Sequence, residues 1–201
     1  MASGYFRQRG AAVLGRASAK LAPAGADGEG DWHVAVIEQL VRGIPDCRYL
    51  EVGVRWATCW NRVAPLAAWA EGIDIDPAVK EHVKTEAPVK IMSSDDYFRL
   101  NRSKTFDVVF LDGDHSFEQV SKDFENALRL LSRDGTVVLH DTWPMKEEET
   151  GPRACGTVYK LAMKVEADPS YNVFTLRRFP GVTLVQPARL DRFDAARGEA
   201  A

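Results

Sequence analysis

Residues 106–115 read FDVVFLDGDH, an apolar and β-branched run that stops at an Asp-Gly-Asp-His turn. A continuous apolar run of this length marks a strand covered on both faces, as in a parallel sheet flanked by helices. Behind it, Phe117, Val120, Phe124, Ala127, Leu128 and Leu131 recur at helical spacing and predict an amphipathic helix that Gly135 ends. Residues 136–139 (TVVL) predict the next strand. Two buried strands joined through a helix form a βαβ unit, whose strands run parallel.

The same alternation extends in both directions. Residues 48–54 (RYLEVGV) and 69–76 (WAEGIDID) read as strands, and residues 89–92 as a short third. A helix over about 58–63 separates the first two, and Pro77 opens another where its missing N–H costs nothing. Upstream, Asp31 is placed to cap a helix built on Val34, Ile37, Leu40, Val41 and Ile44 and ended by Gly43 and Pro45. Downstream, residues 154–165 predict a helix. Residues 171–186 then predict two strands turning at Pro180-Gly181, which must pair antiparallel to each other. The class is α/β, with helices on both faces of a mostly parallel sheet.

Bulk properties narrow the function without naming it. The chain has 201 residues, 45% hydrophobic and 27% charged, the composition of a soluble globular domain. Its formal charge of −3 lacks the electrostatic footprint of a general nucleic-acid binder. No apolar run approaches the ~20 residues that span a bilayer. Cys47, Cys59 and Cys155 are odd in number and far apart, which argues against a disulfide framework and for a reducing, cytoplasmic setting. Residues 1–30 read as a flexible basic arm and linker, 31–186 as the folded domain, and 187–201 as a polar tail.

In an open α/β sheet, ligands bind beyond the carboxyl ends of the strands. Those ends carry Glu51 and Gly53, Asp74 and Asp76, Ser93 to Asp96, Asp112 to His115, and His140-Asp141-Thr142. Asp and Ser are also ordinary turn and cap residues, which explains any one of them but not the whole set. A dinucleotide site is excluded, since it needs G-x-G-x-x-G where this chain has Gly53-Val54-Arg55-Trp56-Ala57-Thr58. His33 and His82 fall on predicted helices away from this edge and are expected at the surface. Trp56, Trp60, Trp143 and Tyr159 are candidates to wall a flat substrate, with plain packing as the alternative. Residues 146–149 (KEEE) read as a solvated loop.

The motifs YLEVGV, GIDIDP, MSSDDYF, FDVVFLDGDHSFEQV and DGTVVLHDT, in this order, resemble the class I S-adenosylmethionine-dependent methyltransferases. The resemblance is nearest to a small bacterial O-methyltransferase group similar to catechol-type and sugar O-methyltransferases. It implies a Rossmann-like sheet of seven strands with the last one antiparallel. It also implies S-adenosylmethionine as cofactor, held by Glu51, Gly53, Asp74, Ser94, Asp95 and Asp112. Gly53 would allow close backbone approach, Asp74 would accept from the ribose hydroxyls, and Ser94 and Asp95 would meet the adenine. Mg²⁺ is implied as an optional second cofactor on Asp112 and Asp141, with Thr142 or His140 as the third ligand. Asp114 and His115 stand where a proton acceptor is expected.

Two positions depart from the family pattern: Ala57 replaces the usual second glycine and Cys59 the usual serine. The expected function is methyl transfer to a hydroxyl of a small molecule, a sugar or secondary metabolite, with no nucleic-acid or membrane partner and with room for a homodimer. A metal-independent N- or O-methyltransferase and a catalytically inactive binding module are the alternatives.

Overall fold

The structure is a computed structural model and describes residues 31–188. The arm over residues 1–30 and the tail beyond 188 lie outside the described residues. Seven strands form one sheet: β1 (Arg48–Val52), β2 (Trp69–Asp74), β3 (Val89–Ile91), β4 (Phe106–Leu111), β5 (Leu131–His140), β6 (Tyr171–Leu176) and β7 (Val182–Pro187). Their order is β3-β2-β1-β4-β5-β7-β6. β1 runs parallel to both β2 and β4, and β4 runs parallel to β5. β7 is antiparallel to β5 on one side and to β6 on the other, so the closing hairpin slots its last strand into the sheet.

Among the described residues, five α-helices pack around the sheet: α1 (Trp32–Arg42), α2 (Thr58–Val63), α3 (Ser94–Leu100), α4 (Phe117–Leu130) and α5 (Val158–Ala167). Alternation along the strands splits the core in two. Val108 and Phe110 join Ile37, Val41, Trp60 and Val63 of α1 and α2 on one face. Val109 and Leu111 join Tyr97, Phe124, Leu130 and Leu161 of α3, α4 and α5 on the other. Each large apolar side chain buried this way contributes roughly 1.5–3 kcal/mol.

Several boundaries differ from the expected ones. α4 stops at Leu130, because Leu131 already has an extended ψ of 134°. Gly135 therefore lies within β5 instead of ending the helix. β1 ends at Val52 and β2 at Asp74, which leaves Gly53, Val54, Ile75 and Asp76 in loops at the sheet edge. α5 begins at Val158, and residues 154–157 form a turn. Asp31 occupies the cap position of α1 but makes no side-chain cap bond. Residues 146–149 are drawn into a turn, with Glu149 Oε2 accepting from the backbone N–H of Met145 at 2.6 Å and of Lys146 at 3.1 Å.

β1 and β4 are adjacent, but their crossovers leave in opposite directions, so a crevice opens beyond their carboxyl ends. This is the switch point at which doubly wound sheets bind ligands.

Candidate active site

A pocket of about 790 Å³ occupies this crevice. One side is built by the loop after β1. Gly53 has φ +88°, and a Cβ there would run into the Asp112 carbonyl and Gly113 Cα, so only a bare backbone fits. Arg55 (φ 47°) and Ala57 (φ 56°) are also left-handed, which curls the loop tightly into α2. An alanine in this region costs roughly 1–2 kcal/mol relative to ordinary backbone, and Ala57, where a glycine was expected, is fully buried. Cys59 faces the Tyr49 hydroxyl at 3.7 Å and does not line the pocket. All three cysteines are buried free thiols.

Asp74 is held by that loop. One of its oxygens accepts from the Arg55 N–H at 2.7 Å and the other from the Asp76 N–H at 2.8 Å. Its remaining lone pairs stay available at the pocket wall. Asp76 serves as a cap, accepting from the Ala78 N–H at 2.9 Å. Ser93 caps α3 and Ser116 caps α4 in the same way. Ser94 and Asp95 line the pocket across from Asp74. Glu51 is 1% exposed and lies behind the wall, taking a hydrogen bond from the Tyr49 hydroxyl at 2.6 Å. Burial pushes its carboxyl up to about 8, although the Tyr49 hydrogen bond opposes this.

The other half of the pocket gathers two carboxylates and two imidazoles. His140 Nδ1 lies 3.0 Å from Asp112 Oδ1 and 3.5 Å from Asp141 Oδ2. His115 Nε2 lies 3.3 Å from Asp141 Oδ2 and 3.7 Å from Asp112 Oδ1. His115 Nδ1 meets the Ala154 carbonyl at 2.6 Å. That carbonyl can only accept, so Nδ1 carries a proton and Nε2 is aimed at the acids.

Contact with Asp112, against burial and with help from Asp141 and Ala154, pushes His115 up to about 9. Burial opposes the charge on His140 as well, yet Asp112 and Asp141 push it up to about 10. Partial burial would raise Asp112, but the two imidazoles hold its carboxyl well below the usual range. Asp141 sits at φ 57°, a left-handed backbone at the centre of the cluster.

Asp112, His115 and Asp141 each offer a ligand atom, and these atoms lie within 4.8 Å of one another. Thr142 is buried with its hydroxyl unpartnered, and it does not line the pocket. Asp114 faces the mouth, where its Oδ1 accepts from the Ser116 N–H at 2.7 Å. Hydrogen bonds from Ser116 keep its carboxyl below the ordinary value, against a small effect of burial.

Residues 46–142 match the family model described as a methyltransferase domain. This stretch, just under half of the chain, carries the pattern of a methyltransferase domain.

Solved structures share the fold of this chain at low identity. The cofactor-bound protein Rv0187 from MTB is 18% identical, with a TM-score of 0.65 and coverage of 88% of each chain. An O-methyltransferase from Bacillus cereus in complex with SAH is 15% identical, with a TM-score of 0.65, covering 88% of this chain and 89% of its own. MycE, a methyltransferase from the mycinamycin pathway in complex with Mg and SAH, is 18% identical with a TM-score of 0.59. That match covers 83% of the present chain and 52% of MycE. No curated protein sequence is detectably similar. No helix among the described residues is long and apolar enough to cross a membrane.

Four features of the site escaped the sequence reading. His33 is not a surface residue: it is 8% exposed and its ring centre lies 4.2 Å from that of His140. Its position one helical turn before Ile37, on the apolar face of α1, was the available signal. Of the two readings of the aromatics, packing holds: Trp56, Trp60, Trp143 and Tyr159 do not line the pocket. Trp60 is instead fully buried against Tyr49, and Trp56 is 63% exposed. Ile75 and Phe179 join Val52, Ile73 and Met92 in the apolar lining. Gln119 and Asp123 of α4 also face the pocket, as does the turn over residues 153–155.

Proposed function

We propose that this methyltransferase transfers the methyl group of S-adenosylmethionine to a hydroxyl of a small molecule, a sugar or secondary metabolite, beside a divalent cation. The observation that carries the reading is the group Asp112, His115 and Asp141, brought within 4.8 Å at the edge of the pocket that Gly53 and Asp74 also line. The cradle fits the cofactor. Bare backbone at Gly53 admits close approach, and the Asp74 carboxylate suits a pair of ribose hydroxyls. MycE holds Mg and SAH together, which supports pairing the two in this pocket.

The donor set fits a divalent cation. The oxygens of Asp112 and Asp141 suit Mg²⁺, and the imidazole of His115 adds a preference for a metal such as Mn²⁺. When bound, such a cation would acidify the acceptor hydroxyl. Asp112 and Asp141 would then hold charge where the hydroxyl docks, and His140 would keep Asp112 oriented through its 3.0 Å contact. Asp114, exposed at the mouth, is the proton acceptor; its low basicity suffices for an acidified hydroxyl. Phe179 and Ile75 offer apolar contact to a ligand at the exposed rim of the pocket.

A metal-independent reaction is the second reading, favoured by the two imidazoles that already balance the two carboxylates. His115 then takes the acceptor's proton through Nε2. Because it holds its own proton up to about pH 9, the rate would climb steadily with pH toward that value.

Calorimetry with S-adenosylmethionine, followed by turnover on a panel of hydroxylated acceptors, tests the reading. Asp112→Asn and added chelator should each abolish turnover, and Mg²⁺ or Mn²⁺ should restore the chelated wild type. Turnover indifferent to both treatments, and rising toward pH 9, moves the assignment to His115. No binding of S-adenosylmethionine by the wild type defeats both readings and leaves an inactive module.

A further inference from the structure

The adenosine end of the pocket holds a cluster that methyl transfer does not use. Gln119 and Asp123 lie one turn apart on α4 and face Ser94 and Asp95 at the start of α3. The Gln119 side-chain nitrogen is 3.2 Å from Ser94 Oγ, 3.1 Å from Asp95 Oδ1 and 3.1 Å from Asp123 Oδ1. All four residues line the pocket, and Asp123 is only 3% exposed.

The donor count is unbalanced. A side-chain amide has two N–H bonds, and the Ser94 hydroxyl adds one more donor. These three serve the Ser94 oxygen and two carboxylates, each carboxylate able to accept about four hydrogen bonds. Burial, and the nearby charges of Asp95 and Asp114, push the Asp123 carboxyl up to about 6. It is therefore ionised at neutral pH, in a corner rich in acceptors and poor in donors. Leaving a buried charge undersupplied is costly, so the corner suits a ligand edge that donates. The exocyclic amine of adenine is such an edge. A purine with a carbonyl oxygen at that position would set acceptor against acceptor.

We propose that Gln119 and Asp123 select adenine in the cofactor: Gln119 fixes Ser94 and Asp95, and Asp123 supplies the buried charge that the adenine amine satisfies. The inference rests on S-adenosylmethionine being the cofactor and adds to it two specificity-determining residues on α4. The competing explanation is that the four side chains merely tie α3 to α4.

Calorimetric affinities for S-adenosylhomocysteine and S-inosylhomocysteine separate the two. The inosyl compound carries oxygen in place of the amine. Wild type should prefer the adenosyl compound by about tenfold or more, the range of a hydrogen bond to a charged group. Asp123→Asn and Gln119→Leu should each pull the ratio toward one, with thermal melting confirming that the variants fold. If Asp123→Asn does not fold, Gln119→Leu carries the test. A tie between helices would weaken both compounds alike and leave the ratio unchanged; that result, or equal affinities in wild type, overturns the proposal. Wild type that binds neither compound overturns the cofactor reading with it.

Discussion

The ring of His33 on α1 packs 4.2 Å from the ring of His140 at the end of β5, centre to centre. His140 in turn places Nδ1 3.0 Å from Asp112 Oδ1 at the end of β4. A helix remote in sequence thus supports the side chain that orients the central carboxylate. Removing His33 opens space beside His140 that the surroundings fill only in part. His33→Ala should cost about 1–3 kcal/mol of stability by the usual cost of deleting a buried side chain. It should lower turnover more than cofactor affinity, measured by thermal melting, acceptor assays and calorimetry on the same preparation.

Gly53 sets how closely anything can approach the end of β1. Its φ of +88° and the Asp112 carbonyl beside it leave no room for a methyl group. Gly53→Ala should destabilise the protein by about 1–3 kcal/mol through overpacking, with the strained backbone adding to it. Calorimetry should find S-adenosylmethionine binding lost, even where circular dichroism shows the fold intact.

Gly156 does the equivalent for the turn over the cluster. It has φ +58°, and a Cβ there would collide with the backbone and Cβ of His115. Thr157 donates its N–H to the His115 carbonyl at 2.8 Å, so the turn is pinned at two points. Gly156→Val should lift the Ala154 carbonyl from His115 Nδ1. A displacement of this size costs on the order of 10–100-fold in rate. Cofactor affinity, read separately, should hold, since the end of the pocket proposed for the adenosine is built from other elements; equal losses in both would refute this division of labour.

Glu51 makes stability depend on pH. In the folded protein its carboxyl titrates near 8, whereas an unfolded chain releases that proton near ~4.3. Between these values the folded state binds a proton that the unfolded state does not, so stability falls as pH rises through the window. Each unit of difference is worth about 1.4 kcal/mol. Asp123, raised to about 6, acts in the same direction over the lower part of the range. The melting temperature of the ligand-free protein should therefore drop from pH 5 to pH 9. Glu51→Gln, which keeps the shape without the charge, should lessen that slope, leaving the part that Asp123, His115 and His140 contribute in the same direction; an unchanged slope would place the titration elsewhere.

The strand ends were legible because they are local. FDVVFL is apolar throughout and stops at Asp112, and the structure ends β4 at Leu111. The same holds for Gly53, Asp74, Ser94 and Asp141, each placed by the end of its own strand and by the rule that parallel strands share one edge. Where a periodic run met a compatible continuation, the boundary slipped. Leu131 fits the apolar stripe of α4, but its backbone is already extended, so Gly135 is not a stop.

The sequence by itself determined the α/β alternation, the parallel sheet with its closing hairpin, and the row of acids at one edge, because periodicity and turn chemistry act over a few residues. Only the tertiary structure decided which atoms meet across elements. It set His33 on His140, the Ala154 carbonyl on His115, and Gln119 between two carboxylates, and it sent Trp60 into the core rather than to the pocket. Those pairings depend on helix rotation and on the register of elements far apart in the chain, and no local pattern encodes either. The chemistry of this site is accordingly written at the strand ends, while its geometry is set by the helices and turns that close over them.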